Sequence, residues 1–88
     1  MDIGKRVKIL SSSQLNMYGW DYVEELDQEF VNFEDGSAFT RDMEKFAGRT
    51  VTIVGYDYVD GIDGEVYFLD IDDGVNFWTK HMFDNGQI

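Results

Sequence analysis

Lys5-Arg6-Val7-Lys8-Ile9-Leu10 alternates basic and apolar positions, and a period of two is the signature of a half-buried strand. Val7 and Ile9 are expected to point inward, leaving a positive outer face. Residues 11–20 read as a polar loop ending in Gly19-Trp20. Asp21-Tyr22-Val23-Glu24 has the form of a helix start, since an Asp cap with Glu three places later can satisfy two unpaired backbone donors. Acids in the first turn also suit the positive end of the helix dipole. Tyr22, Leu26, Phe30 and Phe33 recur at helical spacing and would form one apolar stripe. The pattern therefore predicts a helix over 21–28. Residues 29–34 stay open, because Phe30-Val31-Asn32-Phe33 also reads as a strand turning at Asp35-Gly36.

Further on, Thr40 to Ala47 predicts a short helical turn with Met43, Phe46 and Ala47 inward, ended by Gly48. Thr50-Val51-Thr52-Ile53-Val54 is β-branched throughout and is the clearest strand. Asp60-Gly61 and Asp63-Gly64 favour a hairpin turn into a strand over Glu65 to Ile71, with Tyr67, Leu69 and Ile71 on one side. Asp73-Gly74 turns the chain again into Val75-Asn76-Phe77-Trp78, and a helical turn follows around Lys80 to Met82. Successive Asp-Gly turns describe an antiparallel meander.

Composition narrows the picture. Eighty-eight residues, 43% hydrophobic and 16% aromatic, suffice for one domain over 1–88 with a core that needs no staples. The lack of cysteine fits a reducing cytosol. No secretory signal is readable, and nothing approaches the ~20 apolar residues of a membrane span. A soluble protein of the host-cell cytoplasm is expected. Eighteen acids against seven bases give a net charge of −11, which repels nucleic acid and anionic membrane and favours a basic partner.

From Phe46-Ala47-Gly48-Arg49-Thr50-Val51-Thr52-Ile53, through Tyr67-Phe68-Leu69-Asp70-Ile71-Asp72-Asp73-Gly74, to Phe77-Trp78 and Met82-Phe83-Asp84, the chain resembles a known family. It is similar to the small Src-homology-3-like barrels encoded by phages and prophages of Gram-positive bacteria, which are mostly uncharacterised. The resemblance covers about the last half of the chain plus the opening Ile3 to Ile9 strand. It implies a mainly β (α+β) fold, a small antiparallel barrel with one or two short helices between its first and second strands. Residues 11–38 are longer than the usual connection and read as a family-specific insertion. About function the resemblance is nearly silent.

The residue inventory argues against catalysis. A triad would have to use His81, the single histidine, and no serine sits in G-x-S-x-G. Zinc sites want Cys or His in number, so no metal or other cofactor is expected. Asp70-x-Asp72-Asp73-Gly74-x-Asn76 gathers oxygens without the spacing of a calcium loop, and a hairpin turn accounts for it. Tyr56-Asp57-Tyr58 follows the wrong strand for a proline-peptide groove and is expected to cover a barrel edge.

The acids fall in two blocks without Lys or Arg. The first holds Asp21, Glu24, Glu25, Asp27, Glu29, Glu34 and Asp35; the second holds Asp57, Asp60, Asp63, Glu65, Asp70, Asp72 and Asp73. Alternate strand residues lie ~6.7 Å apart on one face, and helix neighbours four apart lie ~6 Å apart, close to the spacing of backbone phosphates. The expected partner-binding set is therefore Trp20, Asp21, Tyr22, Glu24, Glu25, Asp27, Glu29, Asp60, Asp63, Asp70, Asp72 and Asp73, with Trp20 and Tyr22 as aromatic anchors. Their expected partner is a basic protein surface that handles nucleic acid, such as a CRISPR effector or another defence nuclease. Such a chain would be an anti-CRISPR or similar inhibitor that mimics DNA. A protein–protein adaptor with solvated acids is the alternative, and a cation-stabilised domain a third. The mimic reading requires the acids to share a face, and it suffers if a cavity with converging ligands opens beside His81.

Overall fold

The computed structural model describes residues 3–84. Their elements run β1 (Arg6–Lys8), α1 (Ser12–Tyr18), β2 (Asp21–Val23), β3 (Gln28–Asn32), β4 (Ala38–Thr40), β5 (Thr50–Tyr58) and β6 (Glu65–Leu69). Short 3₁₀ turns fall at Glu24–Leu26, Asp42–Phe46, Asp70–Asp72 and Lys80–Met82. The strands form two antiparallel three-stranded sheets, ordered β1-β5-β6 and β2-β3-β4. Among the described residues no hydrogen-bonded ladder joins them into a closed barrel, so the mainly β class holds while barrel closure does not. The segment between β1 and β5 contains α1, as expected of an inserted helix, but also an entire sheet.

One core serves both sheets. Val7 and Ile9 from the first strand region, Leu15 from α1, Val31 and Phe39 from the second sheet, and Val51, Ile53 and Leu69 from the first are all buried in one cluster. Trp78 sits at its centre, 0% exposed, with its ring edge-on to Phe39 at 5.7 Å and to Phe46 at 6.1 Å. Its backbone bonds to Tyr67 in both directions, so the segment after Asp73-Gly74 joins β6 by a single bridge instead of a full strand. Ile71 likewise falls in the 3₁₀ turn after β6, which ends at Leu69.

The helix expected over 21–28 is absent. Asp21–Val23 is β2, Asp27 takes a left-handed backbone with φ 49°, and β3 follows. The reason is partly electrostatic: a helix would stack Asp21 on Glu25 and Glu25 on Glu29, like-charge neighbours that each destabilise it by ~0.2–0.5 kcal/mol. The hairpin instead pairs Val31 with Phe39 and buries both. Tyr22 and Leu26, expected in an apolar stripe, are each 59% exposed. The only α-helix among the described residues lies one segment earlier, where a loop was expected. Ser11 caps it by accepting from Gln14 N, while the Gln14 side chain accepts from Ser11 N, a reciprocal box.

Candidate functional site

Residues 31–39 alternate strictly, with Val31, Phe33, Asp35, Ser37 and Phe39 buried and the positions between them more exposed. The period of two thus carries straight through the β3–β4 turn and drives a carboxylate inward at Asp35. That carboxylate is held on one side only. Asp35 Oδ1 accepts the Ser37 N–H at 2.9 Å and also the Ser37 hydroxyl. The Ser37 hydroxyl oxygen lies 2.9 Å from that of buried Thr79. Asp35 Oδ2 has no hydrogen-bond partner, and His81 Nε2 stands 3.9 Å away. Burial pushes the Asp35 carboxyl up, but the Ser37 hydroxyl and N–H, the Thr79 hydroxyl and the His81 charge outweigh it and hold it below the usual carboxylate value.

Above Asp35 lies a shallow cleft of about 350 Å³, lined by Glu34, Asp35, Asp63, Lys80 and His81. The β5–β6 loop closes one side, with Asp63 N–H donating to Asp35 O at 2.8 Å. The His81 ring stacks nearly parallel on Phe33, with centroids 6.1 Å apart and an interplanar angle of 12°. A cavity beside His81 therefore exists, yet among the described residues no three His, Asp or Glu side chains converge as metal ligands. Ser37 is bonded to a carboxylate and a hydroxyl instead of the imidazole, so this constellation does not prepare a nucleophile.

A second cleft of about 410 Å³ is lined by Tyr22, Asp27, Gln28, Glu29, Arg41 and Asp42. Here the one cation is already engaged. Arg41 pairs with Glu29 at 3.1 Å and with Glu44 at 2.9 Å, and its guanidinium lies 3.7 Å above the Trp20 ring. Trp20 is half-buried, and its N–H donates to Asn16 Oδ1 at 3.0 Å. Tyr22 is exposed and donates to Asp27 Oδ1 at 2.6 Å; that bond, with some burial and the Glu29 charge, raises the phenol above its ordinary value. Of the two expected anchors, Tyr22 faces solvent while Trp20 is largely engaged within the fold.

The two acidic blocks are cut and regrouped. Glu24, Glu25 and Asp27 occupy the β2–β3 turn, and Glu34 and Asp35 lie beyond the other end of five-residue β3, ~16 Å of strand away. Asp60 and Asp63 sit in the β5–β6 loop, which the Asp63–Asp35 backbone bond brings against the β3–β4 turn. Asp70, Asp72 and Asp73 lie beyond the far end of β6, another five-residue strand. Two of these have structural duties. Asp70 Oδ1 accepts Thr52 N–H, and Asp72 Oδ2 accepts Asn76 N–H, Asn76 Nδ2 and Trp78 Nε1. Asp72 Oδ1 also takes Gly74 N–H. Asp21 is exposed and accepts from Asn32 Nδ2 at 3.1 Å. Asp35, Glu34 and His81, outside the expected binding set, thus line a cleft whose floor holds Asp35 Oδ2, the buried side-chain oxygen without a hydrogen-bond partner among the described residues. The alternation Val31-x-Phe33-x-Asp35-x-Ser37-x-Phe39 is the signal that points to it.

No protein-family model, curated protein or solved structure matches the chain.

Proposed function

We propose that this chain is a non-enzymatic, acidic binding protein of phage or prophage type that occupies a basic, nucleic-acid-handling surface of a host protein. A CRISPR effector or another defence nuclease is the natural class of target. In this reading the two sheets are the opened halves of a Src-homology-3-like barrel, and the protein acts in the host cytoplasm without touching nucleic acid itself.

One observation carries the reading. Among the described residues, Glu24, Glu25, Glu34, Asp60, Asp63 and Asp73 make no side-chain hydrogen bond or ion pair, and all six belong to loops or turns outside the strands' ladders. A chain of net charge −11 with such groups fixed on short turns projects a negative field that a basic groove would meet. Exposed Met17, Tyr18, Leu26 and Val75 favour the second reading, an adaptor that joins a complex through apolar contacts.

Charge reversal separates the two. The triple change Glu24→Lys, Glu25→Lys, Asp27→Lys should leave folding intact and abolish capture of the target from bacterial lysate. Capture that survives the triple change would leave the β2–β3 turn as mere surface and favour the adaptor.

A further inference from the structure

We infer that the cleft between the β3–β4 turn, the β5–β6 loop and the Thr79–His81 segment receives one cationic side chain, arginine or lysine, presented by a partner protein. This deepens the acidic-binder reading and rests on it. The starting point is Asp35, whose side chain is 3% exposed and whose Oδ2 is the one buried side-chain polar atom without a hydrogen-bond partner among the described residues. A buried, ionised oxygen left unpaired is unfavourable, and a charged N–H donor is the group that satisfies it best. Among the described residues only His81 approaches it, at ion-pair and not hydrogen-bond distance. His81 Nε2, at 3.9 Å, is beyond hydrogen-bond reach, and Lys80 lines the cleft without pairing to either carboxylate of the rim.

The surroundings select the ligand. Glu34 and Asp63 add two further carboxylates at the mouth, which disfavours any anion. A metal ion is a poor fit, because among the described residues no three ligating side chains converge. At about 350 Å³ the cleft is at the small end of ligand sites, with room for a guanidinium or ammonium and its stem. His81, braced face-on by Phe33, offers a flat wall on which a guanidinium can lie. Desolvated pockets that take a single charged anchor are where interfaces concentrate their energy.

The test uses isotope-labelled full-length chain and NMR, reading the Asp35 carboxyl carbon and the His81 ring. The probes are the blocked amino acids N-acetyl-arginine methylamide and N-acetyl-lysine methylamide, with the neutral citrulline analogue and zinc chloride as comparisons. The inference expects saturable shifts at both groups with arginine or lysine and none with citrulline. Asp35→Asn should weaken that binding by about ten-fold, the loss expected when one bond to a charged acceptor goes. Lys80→Gln should tighten it by removing a like charge. Should Asp35→Asn fail to fold, Lys80→Gln and Asp63→Asn, which should weaken binding, test the same cleft with Asp35 intact. Shifts that never saturate, spread over all the acids, ignore these substitutions, or appear with zinc alone would overturn the inference. If the cleft fails while salt-sensitive capture of a basic target persists, the acidic-surface reading stands without it.

Discussion

Trp78 is the residue whose removal should hurt the fold most, and its contribution can be worked from its contacts. The side chain is fully buried, packs edge-on against Phe39 and Phe46, and donates its N–H to Asp72 Oδ2 at 3.2 Å. Truncating a buried tryptophan to alanine costs about 3–5 kcal/mol through lost burial and the cavity left behind. For a chain of this length each kcal/mol moves Tm by ~4–8 °C, so Trp78→Ala should lower Tm by ~12–40 °C. Trp78→Phe keeps most of the ring packing but removes the bond to Asp72. A bond to a charged group contributes ~1.5–3 kcal/mol, and the low end applies because Asn76 still donates twice to the same oxygen. Denaturant titrations of both variants, with Asp72→Asn and the Asp72→Asn/Trp78→Phe double variant, complete the cycle. A Trp78→Ala midpoint equal to that of the unsubstituted chain would refute the placement of Trp78 at the centre of the core. A cycle without coupling would refute the Asp72 bond.

Gly36→Ala should destabilise by at least ~1–2 kcal/mol, because φ is +89° there and a Cβ would press into the Gly61 carbonyl oxygen; an unchanged thermal midpoint would mean the two loops do not touch. Acid should also weaken the fold through Asp35. Its carboxyl titrates lower in the folded chain than the ordinary 3.8, so the unfolded chain binds the extra proton between the two values and stability rises with pH across that window. The stabilisation is complete above the unfolded value and lost as pH falls through the folded one. Asp35→Asn should therefore show a shallower decline of the denaturant midpoint between pH 5 and 2, and parallel declines would contradict this. Finally, adding salt to about 0.15 M, where charges are screened beyond ~8 Å, should raise Tm by relieving repulsion among the acids; a fall would mean that ion pairs dominate the surface energy.

Much of the first sheet was legible because its strands carry strong local signals. The Lys5–Leu10 alternation, the β-branched Thr50–Val54 run and the Asp-Gly turns each specify their own geometry; Val7 and Ile9 are buried as expected, and Val51 and Ile53 are buried with them. The second sheet was harder to read. Asp21-Tyr22-Val23-Glu24 carries a credible helix cap, and only long-range pairing with Phe30 and the burial of Val31 against Phe39 decide for strands. Helix α1 was hidden for the opposite reason: its capping box is plain in Ser11-Ser12-Ser13-Gln14, but Leu15 alone among its residues is buried, so no apolar stripe announces it. Sequence blocks also say little about which acids meet in space. Asp35 and Asp63 come together through a backbone bond between distant loops, and nothing local encodes that contact.

Displacement of the bound partner tests the central claim most directly. The immobilised chain is loaded from bacterial lysate at low salt and then challenged in parallel with duplex DNA and with rising sodium chloride. If the unpaired carboxylates occupy a nucleic-acid groove, DNA should release the partner at low salt, and screening should release it without DNA. A partner that stays bound through both challenges would contradict the acidic-surface account.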